Sequence, residues 1–211
     1  MKKSFMFDMD GVLINNESKW EKVKEEVFTE IYGRKIYKKL GSTLGQSINS
    51  THEKALALGA KESFKKLENI WHEYAFKIYT ETPITDGIEE LGKALIKNDY
   101  GIAVVSASPI SWVNLVINRL SFRKNIATVI SLHDHTNLKH KPEPDGYLEA
   151  IRTLKSHSSK AFVLEDSNIG IKSGKNAGAC VIGLRQNLIK GYVQKGADIY
   201  VDKVEEIIKI I

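Results

Sequence analysis

Apolar residues recur along this chain in two different periods, and the change falls near Pro83. Close to the N-terminus, Ser4–Phe7 is a short apolar run that reads as a strand, and Gly11 breaks it. Over residues 17–32 the apolar positions are Trp20, Val23, Val27 and Ile31, which is helical spacing. A second amphipathic helix is expected over about residues 63–79, with Phe64, Leu67, Trp71, Tyr74 and Ile78 sharing one face. The stretch between them, 41–59, reads as loop followed by helix. No strand is expected between residues 15 and 82.

Beyond Pro83 the pattern is different. Asp86 is expected to cap a helix that runs through Leu95. Apolar runs then follow at 102–105, 127–130, 161–164, 180–184 and 199–201, most of them separated by helical stretches. Strands that alternate with helices predict a parallel sheet covered by helices on both faces, and the run before residue 8 should join it. Residues 15–82 then form an all-helical insertion after the first strand. The chain shows no internal repeat and no low-complexity segment.

Composition narrows this picture without changing it. With 211 residues, 42% hydrophobic and 27% charged, the chain has the make-up of a soluble globular protein of one domain with a large insertion, or of two small domains. Lys and Arg number 31 against 26 Asp and Glu, a net charge of +5 spread along the chain. That suits small anions and not a nucleic-acid surface. A single cysteine, Cys180, excludes an internal disulfide and fits a reducing, cytoplasmic setting. Asp8 and Asp10 interrupt the N-terminal apolar run, which argues against a signal peptide, and no stretch approaches a membrane span.

Open parallel sheets bind ligands at the carboxyl ends of their strands, so the residues after each run matter most. The first run ends in Asp8-Met9-Asp10-Gly11, the run at 102–105 in Ser106-Ala107-Ser108-Pro109, and the run at 161–164 in Glu165-Asp166-Ser167. Lys141-Pro142-Glu143-Pro144-Asp145 opens a helix between the last two. Asp8 and Asp10 suit a nucleophile that attacks phosphorus and an acid that protonates the leaving oxygen. Glu165 and Asp166 offer hard oxygen ligands for magnesium. The Ser106 hydroxyl, the free backbone N–H at Ala107 and the Lys141 ammonium suit phosphate oxygens. Each of these has a plainer reading alone: a solvated turn for Asp8 and Asp10, a helix cap at Asp166 or Ser167, a capping serine at Ser106, a surface lysine at 141. Their joint occurrence at strand ends points to one phosphate-and-metal site.

The segments FDMDGVLINNES, VVSASP, KPEPDGYL and VLEDSNIGIKSGKNAG span most of the chain. In them the chain resembles the haloacid dehalogenase-like hydrolase superfamily, in the branch of the beta-phosphoglucomutase-like and phosphoglycolate phosphatase-like proteins. The resemblance implies an α/β fold, a Rossmann-like three-layer core of residues 1–14 and 83–211 with a helical cap domain inserted at 15–82. It implies Asp8 as nucleophile and Asp10 as general acid and base, Ser106, Ala107 and Lys141 as phosphate binders with Lys141 also orienting Asp8. Mg2+ would be held by Asp8, the backbone carbonyl of Asp10, Glu165 and Asp166. The expected activity is a phosphatase acting on a small phosphorylated metabolite in a monomer or weak dimer. A sugar phosphomutase and a non-enzymatic phosphate-binding module are the alternatives. Asn15-Asn16-Glu17 departs from the family's usual Asp-Ser-Glu or Asp-Thr-Glu. Trp20, a candidate to face substrate, stands where the phosphoglucomutase has a cap histidine, and 44–49 lacks that enzyme's arginine. Both differences argue against a mutase, and Asp10 argues against a dehalogenase. His133, Asp134, His135 and His140 cluster in sequence at irregular spacing and read as solvated loop residues. Trp71, Tyr74 and Tyr79 read as core of the helical segment.

Overall fold

The computed structural model describes residues 2–41 and 48–211. The chain divides into two compact units: Met1–Glu17 with Thr82–Ile211, and Ser18–Glu81.

The larger unit is built on a six-stranded, wholly parallel sheet in the order β3-β2-β1-β4-β5-β6. Its strands are β1 (Ser4–Phe7), β2 (Gly101–Ser106), β3 (Ile126–Ser131), β4 (Ala161–Glu165), β5 (Cys180–Leu184) and β6 (Ile199–Val201). β1 and β2 are buried along their whole length, as strands covered on both faces must be. Alternation along β1 sends Met6 to one face, into a cluster with Ala103, Val105, Tyr147, Ala150, Ile171 and Val181. Phe7 meets Phe122 on the other face, with ring centroids 6.1 Å apart. The first face carries α6 (Asp145–Thr153) and α7 (Asn168–Asn176). α4 (Ile88–Lys97) and α5 (Ile110–Ile117) complete the helices of this unit. Because the chain runs from β1 outward to β2 and β3, then crosses back to β4, the strand order reverses beside β1. That reversal opens a crevice at the carboxyl ends of β1 and β4.

Asp86 does not cap α4, contrary to the sequence expectation. The helix starts two residues later, and Gly87 occupies its N-cap at φ 87° with no side-chain bond. Glycine reaches that left-handed conformation without steric penalty, so the turn needs no side-chain cap.

Where the chain leaves and re-enters this unit, its two strands are tied together. Ile14 bridges Ile84, and the Thr85 N–H donates to the Leu13 carbonyl at 2.9 Å.

The smaller unit is all helical. It holds α1 (Glu17–Leu40, whose first residue belongs to the larger unit), α2 (Ile48–Ala57) and α3 (Phe64–Glu81). Gly33, at φ 77° and ψ 150°, breaks α1 one residue beyond the expected end of its amphipathic pattern. Trp20 stacks on Trp71 at 4.8 Å, Phe28 lies 5.8 Å from Trp71, and the Tyr32 hydroxyl bonds His52 Nδ1 at 2.7 Å. Tyr74 sits at the edge of this core, half-buried. Of the stretch 44–49, in which an arginine is lacking, residues 44–47 lie outside the described residues. Among the described residues, no helix is long and apolar enough to cross a membrane.

Candidate active site

Asp8 follows directly on β1 and is 7% exposed. Its Oδ1 accepts from Lys141 Nζ at 2.7 Å, and its Oδ2 has no donor among the described residues. Lys141 also donates to Glu165 Oε1 at 2.6 Å and approaches the Val105 carbonyl at 3.4 Å. One ammonium therefore spans the ends of β1, β2 and β4.

Glu165 closes β4 and is fully buried. Its Oε1 takes Lys141 and the Tyr147 hydroxyl, the latter at 2.8 Å. Its Oε2 takes the Asp166 N–H, the Ser167 N–H and the Ser167 hydroxyl. Five donors against the four or so lone-pair sites of a carboxylate leave it saturated. Gly170 permits this burial, because a Cβ there would fall 1.8 Å from Glu165 Oε1. Asp166, one residue on, is the opposite case. It is 7% exposed, and its carboxylate accepts no hydrogen bond among the described residues. Asp8, Glu165 and Asp166 each place a carboxylate oxygen within 4.8 Å of the others.

This crowding raises proton affinities. Burial first, then the charges of Glu165 and Asp10, push the Asp8 carboxyl up to about 8 against the pull of Lys141. Burial and the neighbouring Glu165, Asp8 and Glu17 raise Asp166 well above the usual carboxylate range. Burial alone would pull Lys141 down, but Asp8 and Glu165 more than offset it and hold the ammonium charged. Were all three buried carboxylates ionised, the one ammonium would leave surplus negative charge, and two of them keep oxygens without donors among the described residues. This donor set fits a divalent cation with a preference for hard oxygen.

Asp10 lies across the loop from Asp8. Its Oδ1 accepts from the Asn16 amide and its Oδ2 from the Ser108 hydroxyl at 2.8 Å. Asn16 is fully buried and also accepts from the Gly11 N–H at 3.2 Å. Gly11 has φ 74°, and a Cβ there would fall 1.9 Å from Asp166 Oδ2, so the turn just after Asp10 has room only for glycine. Ser106 ends β2, fully buried, and its hydroxyl accepts from the Ser108 N–H at 3.0 Å; Ala107 beside it is exposed.

The structure thus brings Asp8, Lys141, Glu165 and Asp166 into one cluster, with Ser106 at the end of β2 and Asp10 and Ala107 on the adjoining loops. Trp20 belongs to the other unit, where it is largely buried against Trp71 and Tyr79. His133, His135 and His140 are exposed loop residues. Asp134 accepts from the Ile110 N–H and the Ser131 hydroxyl at the start of α5, and that backbone bond is the first cause of its lowered carboxyl pKa. Ser167 is the N-cap of α7, accepting from the Gly170 N–H.

Four further residues serve this site without being singled out by sequence. Tyr147 and Ser108 are described above. The Asn187 amide, in the loop after β5, donates to the Gly11 carbonyl and the Thr85 hydroxyl. Gln194, in the same loop, donates to the carbonyls of Asp166 and Leu184. Both amides brace the loops that follow β1 and β4.

Pyrophosphatase PpaX from Listeria monocytogenes serotype 4b is 25% identical over 99% of this chain and 95% of that protein. Validoxylamine A 7'-phosphate phosphatase from Streptomyces hygroscopicus subsp. limoneus is 28% identical over 87% of this chain and 86% of its own length. The crystal structure of a HAD hydrolase, family IA, variant 3, from Entamoeba histolytica HM-1:IMSS superposes with a TM-score of 0.74 at 22% identity, covering 99% of this chain and all of that one. The model of the haloacid dehalogenase-like hydrolase family matches residues 5–184, and the chain belongs to that family.

Proposed function

We propose that this protein is a magnesium-dependent phosphatase that hydrolyses a small phosphate monoester through an aspartyl-phosphate on Asp8. The observation that carries this reading is the asymmetry of the Asp8 carboxylate within its cluster with Glu165 and Asp166: Lys141 holds Oδ1, and Oδ2 is left without a donor among the described residues.

An Asp8 oxygen attacks phosphorus, and the bond from phosphorus to the ester oxygen breaks. Asp10, as the protonated acid, gives its proton to the departing alkoxide. The Asp10 carboxylate then removes a proton from water, and the resulting hydroxide attacks phosphorus. The bond from phosphorus to Asp8 breaks, inorganic phosphate leaves, and both aspartates return to their starting states. Lys141 orients Asp8 and can turn the N–H that only loosely meets Val105 toward a phosphoryl oxygen. Ser106 and the Ala107 N–H bind the remaining oxygens. The cation would rest on Asp8, Asp166 and the Asp10 carbonyl, with Glu165 the further carboxylate of the cluster. When bound, magnesium supplies positive charge against the phosphoryl oxygens and the acidic cluster. Asn16 and Ser108, both donors to Asp10, fix the acid's position on its loop.

We assign the helical unit the role of a cap that excludes water and selects the leaving group. The likeness to a pyrophosphatase and to a validoxylamine A 7'-phosphate phosphatase sets the range of substrates to try. The test is phosphate release with magnesium from inorganic pyrophosphate and a panel of phosphate monoesters, for the protein and for Asp8→Asn. Turnover that Asp8→Asn lowers more than about a thousandfold supports the reading. Folded protein that releases no phosphate from any member overturns it.

A further inference from the structure

Tyr147 is a fully buried tyrosine on α6, packed among Met6, Val105, Leu132 and Ile151. In such surroundings a phenolic oxygen is a liability unless it is bonded. Its hydroxyl has one partner among the described residues, Glu165 Oε1 at 2.8 Å. The same oxygen accepts from Lys141 at 2.6 Å, and Lys141 reaches Asp8 Oδ1 at 2.7 Å. The ring of Tyr147 also lies under the Lys141 ammonium, 5.3 Å from nitrogen to centroid. Phenylalanine would fill the same volume and keep the ring under the ammonium, so the hydroxyl adds nothing to packing. What it adds is a second donor on the oxygen that Lys141 shares.

We propose that Tyr147 is a positioning residue whose hydroxyl fixes Glu165 Oε1 and thereby keeps the Lys141 ammonium seated on Asp8. The line Tyr147–Glu165–Lys141–Asp8 sets which Asp8 oxygen is occupied and which is free. Without the hydroxyl, Oε1 loses one of its two anchors while the three donors on Oε2 remain. Glu165 stays buried but can rock about Oε2. Lys141 follows it and spends less time on Oδ1. The nucleophile is then less often presented with a fixed free oxygen. The burden falls on the chemical step and not on substrate capture, because Tyr147 is buried away from solvent.

This inference rests on Asp8 being the nucleophile, so its test has one arm that needs no substrate. The variant is Tyr147→Phe. In the protein alone, a lysine ammonium locked by two carboxylates exchanges its protons slowly enough to give a resolved 15N resonance, which Lys141→Met assigns by removing it. Tyr147→Phe should broaden or lose that resonance, and Glu165→Gln should do the same. In the assay, Tyr147→Phe should lower kcat about tenfold with KM within twofold, the size expected for one hydrogen bond to a charged group. In the Glu165→Gln background, adding Tyr147→Phe should change kcat less than twofold, since both changes cut the same line. An ammonium resonance unchanged in Tyr147→Phe, a kcat within twofold of the parent, or losses that multiply in the double variant would each overturn the proposal. If no substrate is turned over, the ammonium resonance alone decides it. That outcome is separate from failure of the phosphatase reading.

Discussion

The two units place their polar groups in opposite ways. In the helical unit the buried interior is aromatic: Trp20, Phe28, Trp71 and Tyr79 are stacked or edge to face, and the Tyr32–His52 bond is a satisfied polar pair among them. In the sheet unit the buried interior ends in a knot of charge, with Asp8, Glu165 and Asp166 facing Lys141. One interior is arranged for stability. The other holds like charges within 4.8 Å at stability's expense, as catalytic sites do when their chemistry needs groups that would otherwise repel. Substitutions in the charged interior should therefore act through charge and magnesium, and those in the aromatic interior through packing alone.

The largest effect is expected at Lys141. Lys141→Met keeps much of the side-chain volume but leaves Asp8 and Glu165 buried without their cation. Removing one member of a buried ion pair costs about 3–5 kcal/mol. Activity should fall more than about a thousandfold, since the contact that orients Asp8 and the proposed phosphate contact both go with it. Urea denaturation together with phosphate release checks both. A variant as stable as the parent would show that the acidic cluster does not depend on Lys141.

Trp71→Ala comes next. The ring touches Trp20 and Phe28, and deleting it should cost about 3–5 kcal/mol through lost burial and a cavity. No charge is stranded, so the loss should be the same with and without magnesium. A loss that magnesium reverses would contradict the separation of roles between the two interiors.

Asp166→Asn reverses the sign. Its carboxylate has no hydrogen bond to lose and sits among like charges, so the amide relieves repulsion. In chelator the variant should be more stable than the parent by about 1–2 kcal/mol. Magnesium should raise the parent's melting temperature and leave the variant's nearly fixed, because a ligand stabilises only the state that binds it. Activity should fall at least about a hundredfold. Lower stability in chelator would mean that Asp166 is held by attraction and not crowded by repulsion.

The contrast also explains what the sequence discloses. Strands β1, β4 and β5 are legible because each is an unbroken apolar run, as burial on both faces demands. Asp8, Asp10, Glu165 and Asp166 stand out because strand ends are where such sheets gather chemistry. Tyr147 does not stand out, since an aromatic residue on an amphipathic helix reads as core and its partner lies 18 residues away. Asn187 is more distant still, 176 residues from the Gly11 carbonyl it holds, and no local period announces it. The start of α4 is misread for a related reason: Asp86 looks like a cap, but a left-handed Gly87 makes the turn. Local chemistry shows in the sequence, whereas side chains that brace a distant backbone show only once the chain is folded.

The finest test of the contrast is Tyr32 in the helical unit. Burial pushes its phenol up to about 12, from an ordinary value of 10.0. Below about pH 10 the phenol is protonated in both folded and unfolded chains, and its contribution to stability is complete. As pH rises through the window up to about 12, the unfolded chain gives up a proton that the folded chain keeps, so stability falls. Tyr32→Phe has no such proton. It forgoes the bond to His52 and should be less stable than the parent by about 1 kcal/mol near pH 8. That gap should narrow toward about pH 11, because only the parent loses stability on the way. Tyr147, also raised by burial, is common to both proteins and cancels in the difference. Urea denaturation at closely spaced alkaline pH values measures the gap. A gap constant across the window would mean that the Tyr32 phenol ionises in the folded protein as it does in the unfolded chain, and the aromatic interior would not be the closed, apolar one its geometry describes.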